Sequence, residues 1–203
     1  KFNLKFNKVA SAMLTNIPLL IQIAKTKRTT FISTGMSSLK DISRAINIFK
    51  KNKCKFYLMH CVSNYPCPTE KLNLQNIINL RKKFKCDVGY SGHESSVSPT
   101  LMAYSLGANV IERHITLDRS MWGTDQSSSL SEQGISSLTS TLRKLYLAYG
   151  NGEKKFTTTF RNKKVTSIFI DTDNFVILVP LIINDELTID DVNFDSLPFD
   201  DDD

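Results

Sequence analysis

Five short apolar runs alternate with five helical patterns over the first 150 residues, and this alternation limits the fold more than any other feature. The runs are Leu4–Val9, Thr29–Ser33, Phe56–Cys61, Val88–Tyr90 and Val110–His114. The helical patterns are Ile17–Lys25, Leu39–Asn52, Leu72–Phe84, Ser96–Leu106 and Glu132–Tyr149. In the third, Leu74, Ile77, Ile78 and Arg81 keep the i, i+3, i+4, i+7 rhythm of an amphipathic helix. Ser37 or Ser38 is placed to cap the second, with Asp41 in its first turn. The strands are apolar almost throughout, as strands covered on both faces are. Strand–helix alternation with short loops predicts βα units and a parallel sheet. In a parallel α/β barrel the carboxyl ends of neighbouring strands open into one mouth, where active sites are built.

Two histidines stand at such ends. His93 lies in CDVGYSGHE after the fourth strand, and His114 in ANVIERHITLD closes the fifth. Two imidazoles in one mouth can hold one divalent metal and leave coordination positions open to substrate. Glu112 and Arg113 flank His114; both are expected to point away from it, in a structural ion-pair role.

At 203 residues the chain can bury a real core but falls short of the roughly 250 of a complete (β/α)8 barrel. No apolar run approaches the roughly 20 residues of a membrane span, and the N-terminus carries no signal-peptide pattern. Cys54, Cys61, Cys67 and Cys86 show no CxxC or zinc-finger spacing. Reduced cysteines and a cytoplasmic location are expected. All 26 basic residues precede Val165, with nine of the 20 acidic ones; the other eleven follow. The lysines are scattered over helices with few aromatics between them, so they read as solvated helix surface, with no nucleic-acid partner. Gly150 and Gly152 mark a boundary. Residues 1–155 are expected to be the barrel part. Residues 156–203 are expected to be an extension with strand-like runs and a partly disordered acidic tail.

Six segments resemble the sialic acid synthase (N-acetylneuraminate synthase) family. They are KVASAMLTNIPLL, FISTGMSSLKDI, LMHCVSNYPCPTEKLNL, VGYSGHESS, LGANVIERHITLDRSMWGTDQSSSLS and YGNGEKK. They occur in family order and spacing and cover about Lys8 to Lys155. The resemblance implies an incomplete TIM (β/α)8-type barrel whose five strands correspond to about strands 4–8. It implies condensation of phosphoenolpyruvate with N-acetylmannosamine, or its 6-phosphate, to a sialic acid with release of phosphate. Related legionaminic or pseudaminic acid synthases are an alternative, as is an inactive fragment. It also implies a divalent metal, Mn2+ or Mg2+, and a homodimer for the full-length family.

By the same resemblance Lys8, Ser11, Ser33, Ser63 and Ser91 match phosphoenolpyruvate contacts. A lysine is a compact charge suited to phosphate, and serine hydroxyls orient it. Ser33 stands beside Gly35, where backbone can approach phosphate closely. Tyr65 and Asp125 match sugar contacts, and His93 and His114 match the metal ligands. Two positions depart from the common pattern: Met13 and Gly92 stand where many members carry acidic residues. Nothing matches the family's first three strands, which carry its proposed general base, so no catalytic base is assigned. Nor does any segment match its C-terminal antifreeze-like domain. The 203-residue chain by itself is therefore expected not to turn over.

Overall fold

A computed structural model describes residues 4–154, together with the backbone of residues 164–171 and 176–183. Contacts divide the chain into two compact units, Lys1–Asn151 and Gly152–Asp203.

In the first unit five strands form one sheet in sequence order: β1 (Asn7–Val9), β2 (Thr30–Ser33), β3 (Phe56–His60), β4 (Val88–Gly92) and β5 (Ile111–Arg113). Every neighbouring pair is parallel. The helices are α1 (Ile17–Lys25), α2 (Leu39–Lys51), α3 (Asn76–Phe84), α4 (Ser98–Ser105) and α5 (Glu132–Tyr149). This is the expected parallel half-barrel. Its curvature brings side chains of β1 and β5 together across the mouth, although three strands lie between them: Lys8 Nζ is 3.0 Å from Glu112 Oε1.

Local chemistry sets the helix ends. Asn16 caps α1 by accepting from Leu19 N at 3.2 Å, and Pro18 fits the first turn, where no intrahelical donor is needed. Ser38, rather than Ser37, caps α2 in a reciprocal capping box with Asp41. Helix α3 starts at Asn76, later than the expected Leu72. A 3-10 turn, Thr69–Lys71, and a left-handed Asn73 (φ 44°) use up the intervening residues.

One continuous core lies between sheet and helices. Ile32, Leu58 and Val88 of the strands are fully buried against Leu20 and Ala24 of α1, Ala45 and Phe49 of α2, and Ile77 of α3. Each large aliphatic side chain so buried contributes about 1.5–3 kcal/mol. All five residues of β4 are buried, which agrees with a strand covered on both faces.

In the second unit β6 (Lys164–Asp171) and β7 (Val176–Ile183) pair antiparallel in a sheet of their own. These match the strand-like runs read there. The expected acidic tail lies outside the described residues. Among the described residues no helix is long and apolar enough to cross a membrane.

Candidate active site

The carboxyl ends of β1 to β5 bring every expected site residue to one side of the sheet. Two groups adjoin there. In the first, Lys8 Nζ donates to Ser33 Oγ at 2.5 Å and to Glu112 Oε1 at 3.0 Å, and Ser91 Oγ donates to the same carboxylate oxygen at 3.0 Å. In the second, Ser11, Gly35, Cys61 and Ser63 close on one point. Gly35 N donates to Cys61 Sγ at 3.1 Å, and Ser11 Oγ lies 3.2 Å from the same sulfur. A Cβ at Gly35 would stand 2.4 Å from Ser63 Oγ and 2.9 Å from Ser11 Oγ, so only glycine leaves this cradle open. Ser63 Oγ is buried and has no hydrogen-bond partner among the described residues. An orphaned buried hydroxyl costs free energy unless a ligand satisfies it.

The imidazoles form the other part of the site. The His93 and His114 rings lie edge to face with centroids 5.3 Å apart. Tyr65 packs against both, 4.2 Å from the first and 5.7 Å from the second. Position is fixed from behind: His93 Nδ1 is 2.7 Å from Val62 O, and Cys67 N donates to His93 O at 3.0 Å. The backbone of His114 is pinned where Leu130 N donates to its carbonyl at 2.8 Å. Burial holds the His93 imidazole below its ordinary value, an effect opposed by the hydrogen bond to Val62 and reinforced by His114. A neutral His93 donating from Nδ1 keeps Nε2 free as a lone-pair donor. His114 Nδ1 faces Asp125 Oδ2 at 3.6 Å, which likewise leaves Nε2 as the open nitrogen. Among the described residues no group of three or more His, Cys, Asp or Glu is placed to hold a metal. Two imidazoles with exposed oxygens nearby still fit one divalent ion that draws its other ligands from substrate and water.

Glu112 does not behave as the alternation argument expects. It stands two residues before His114, and with a strand period of two it shares the mouth side with it. There it joins Lys8 and Ser91, while Arg113 alone turns away. Both do form ion pairs: Glu112 with Lys8, half in solvent, and Arg113 with Glu94, fully buried. Cys61 was not singled out from sequence, because a lone cysteine at a strand end carries no spacing signal. Gly92 has a local explanation: a Cβ there would meet Glu94 Oε2 at 2.7 Å, so the Glu94 carboxylate occupies the space a side chain would need. Met13 lies in the 3-10 turn Ser11–Met13 and is partly exposed.

The fold and the two groups define one flank of the mouth of a (β/α)8-type barrel, with a cationic, hydroxyl-lined cradle beside an imidazole pair. The chain belongs to the NeuB family, whose sequence profile matches residues 1–154. It is 40% identical over 158 residues to the N,N'-diacetyllegionaminic acid synthase of Campylobacter jejuni, covering 76% of this chain and 47% of that protein. It is 36% identical over 156 residues to the human N-acetylneuraminate-9-phosphate synthase, covering 76% of this chain and 44% of that one. Among solved structures, the N-acetylneuraminic acid (sialic acid) synthetase of Leptospira borgpetersenii superposes with a TM-score of 0.72 at 32% identity, covering 77% of this chain and 55% of that one. The chain thus spans about half the length of the relatives it matches.

Proposed function

We propose that this chain supplies the phosphate-binding and metal-binding flank of a synthase that joins phosphoenolpyruvate to an N-acetylmannosamine-type amino sugar and releases phosphate. The observation that carries this reading is the pair of clusters at the strand ends, Lys8, Ser33 and Ser91 around Glu112 and Ser11 and Ser63 around Gly35, with the His93 and His114 rings packed together on Tyr65.

Lys8 and the four hydroxyls bind the phosphoryl group of phosphoenolpyruvate. The Lys8–Glu112 pair is more than a third exposed on both sides, so it is weak and yields easily to a dianion. Each hydrogen bond to a charged phosphate contributes about 1.5–3 kcal/mol. His93 and His114 would hold a divalent metal; imidazole donors favour Mn2+ over the harder Mg2+. When bound, the metal supplies Lewis-acid polarisation of the acceptor's aldehyde oxygen. Tyr65 and Asp125 flank the imidazoles and orient the sugar. The methylene carbon of phosphoenolpyruvate attacks the aldehyde carbon, water adds at the enol carbon, and the resulting tetrahedral phosphate ester loses phosphate into the serine cradle. The sugar is a 2-acetamido hexose. The relatives' names divide among legionaminic acid, pseudaminic acid and N-acetylneuraminate-9-phosphate, so its other substituents are decided by testing acceptors.

Isothermal titration of phosphoenolpyruvate, with and without Mn2+, tests the reading. Binding weakened by Lys8→Ala and Ser63→Ala, and Mn2+ binding abolished by His93→Ala or His114→Ala, are the expected results. Indifference of Mn2+ binding to both histidine changes would overturn the metal assignment. Phosphate release with N-acetylmannosamine, its 6-phosphate and 2,4-diacetamido acceptors then identifies the sugar.

A further inference from the structure

The residues behind the two histidines form a buried network of their own. Glu94 follows His93 and Arg113 precedes His114. Their side chains are 2% and 1% exposed, with Arg113 Nη1 2.9 Å from Glu94 Oε1. Nη1 also donates to Ser96 O at 3.0 Å and to Thr100 Oγ1 at 2.8 Å, and Nη2 donates to the carbonyl of Glu94. The Glu94 carboxylate accepts further from Tyr90 Oη at 2.8 Å and Thr100 Oγ1 at 2.9 Å. One guanidinium therefore ties the end of β5 to the loop after β4 and to α4. In register Arg113 faces Gly92, where any side chain would collide with the Glu94 carboxylate. No bond of this network involves Lys8, the cradle serines or either imidazole.

We propose that Glu94 and Arg113 are positioning residues for the imidazole pair, fixing the end of β4 against the end of β5 so that His93 and His114 stay close enough to share one metal. This rests on the metal reading above. Stability alone is a poor account of the pair. A buried ion pair is often no more stabilising than apolar residues of the same volume. Here Arg113 Nε is also buried without a partner among the described residues, which costs further free energy. What the pair gives and an apolar contact does not is a directional, multiply bonded link between the two backbone segments that carry the ligands. Groups that orient metal ligands from behind typically change metal affinity by about 10–100-fold when removed.

The test compares the wild-type chain with Glu94→Gln and with the apolar double variant Glu94→Leu/Arg113→Met. Three measurements are made: thermal unfolding by circular dichroism, Mn2+ binding by electron paramagnetic resonance, and the inter-ring nuclear Overhauser effect between His93 and His114 without metal. Both variants are expected to unfold cooperatively, to bind Mn2+ about 10–100-fold more weakly, and to lose inter-ring signal. A cooperatively folded variant with wild-type Mn2+ affinity and wild-type inter-ring signal overturns the inference. If the wild type binds no Mn2+, the metal reading fails on its own, and the inter-ring signal still decides whether the pair positions the rings. Should both variants fail to fold, Thr100→Val removes one bond from each partner, and the same two readouts must then shift in the same direction.

Discussion

At the scale of single residues, the site is marked by buried polar groups that other side chains do not satisfy. Ser63 is the clearest. Its hydroxyl is buried without a partner among the described residues, so Ser63→Ala should leave stability unchanged or raise it slightly. The same change should weaken phosphoenolpyruvate binding by about 10–100-fold, the value of one hydrogen bond to a charged group. Unfolding midpoints and titration measure the two effects separately, and a large loss of stability would show that the hydroxyl has an internal partner. His60 makes a second residue-scale prediction. It is buried, its Nε2 is 2.8 Å from Leu72 O, and burial holds its pKa below the ordinary 6.5. The unfolded chain therefore binds the proton more readily than the folded one. The neutral ring stabilises the fold above pH 6.5, and that contribution is lost as pH falls through the lower folded value. Urea midpoints should drop between pH 7.5 and pH 5, and the drop should be smaller in His60→Gln. An equal drop in both would assign the effect elsewhere. Little of this was legible in sequence. His93, His114 and the serines stood out by strand-end placement and motif, but burial and missing partners are tertiary facts. Glu112 was misread: expected to point away from His114, it lies two residues before it and so falls on the same side of the strand, with Lys8 and Ser91.

At the scale of elements, the order and type of all five strands and five helices could be read from short apolar runs alternating with helical patterns, and α1 and α5 to the residue. The errors sit where tertiary pairing decides. β1 was expected from Leu4 and begins at Asn7, because among the described residues it pairs on one side only and leaves Leu4 and Phe6 exposed. β4 was expected to stop at Tyr90 and runs to Gly92, because β5 pairs with Ser91 and Gly92. Glycines hide strands from sequence reading, yet Gly89 is what lets β4 approach β5: a Cβ there would stand 2.5 Å from Val110 O. That neighbour is backbone and cannot rotate away. Gly89→Ala should therefore push the strands apart and cost at least about 1–3 kcal/mol, the usual penalty of overpacking. It should also weaken Mn2+ binding by separating His93 from His114. A stable variant with full metal affinity would show that β4 and β5 adjust more freely than their packing implies.

At the scale of the whole molecule, the sheet ends decide what this polypeptide can do unaided. Among the described residues β1 and β5 each pair with one strand only, and Leu4, Phe6, Ile115 and Leu117 are exposed near those ends. Unpaired parallel edges flanked by apolar side chains promote association. More important for chemistry, the described mouth holds a lysine, a group of serine hydroxyls, two imidazoles and a tyrosine, but no group assigned as proton acceptor, and the chain spans about half the length of its relatives. Correct placement of two reactants can contribute on the order of 7–11 kcal/mol to a bimolecular step. One flank of a mouth can bind phosphate and metal without holding both substrates at reacting distance. Residues 1–203 alone are therefore expected to bind phosphoenolpyruvate and Mn2+ yet release no phosphate from phosphoenolpyruvate and N-acetylmannosamine, measured with a coupled phosphate assay. Joining the chain to the part of the Campylobacter relative that it does not cover should restore release, and His93→Ala or His114→Ala in that fusion should abolish it. Robust turnover by the 203-residue chain would show that the described half of the mouth already contains the proton acceptor, and Glu112, held between Lys8 and Ser91, would be the first group to test.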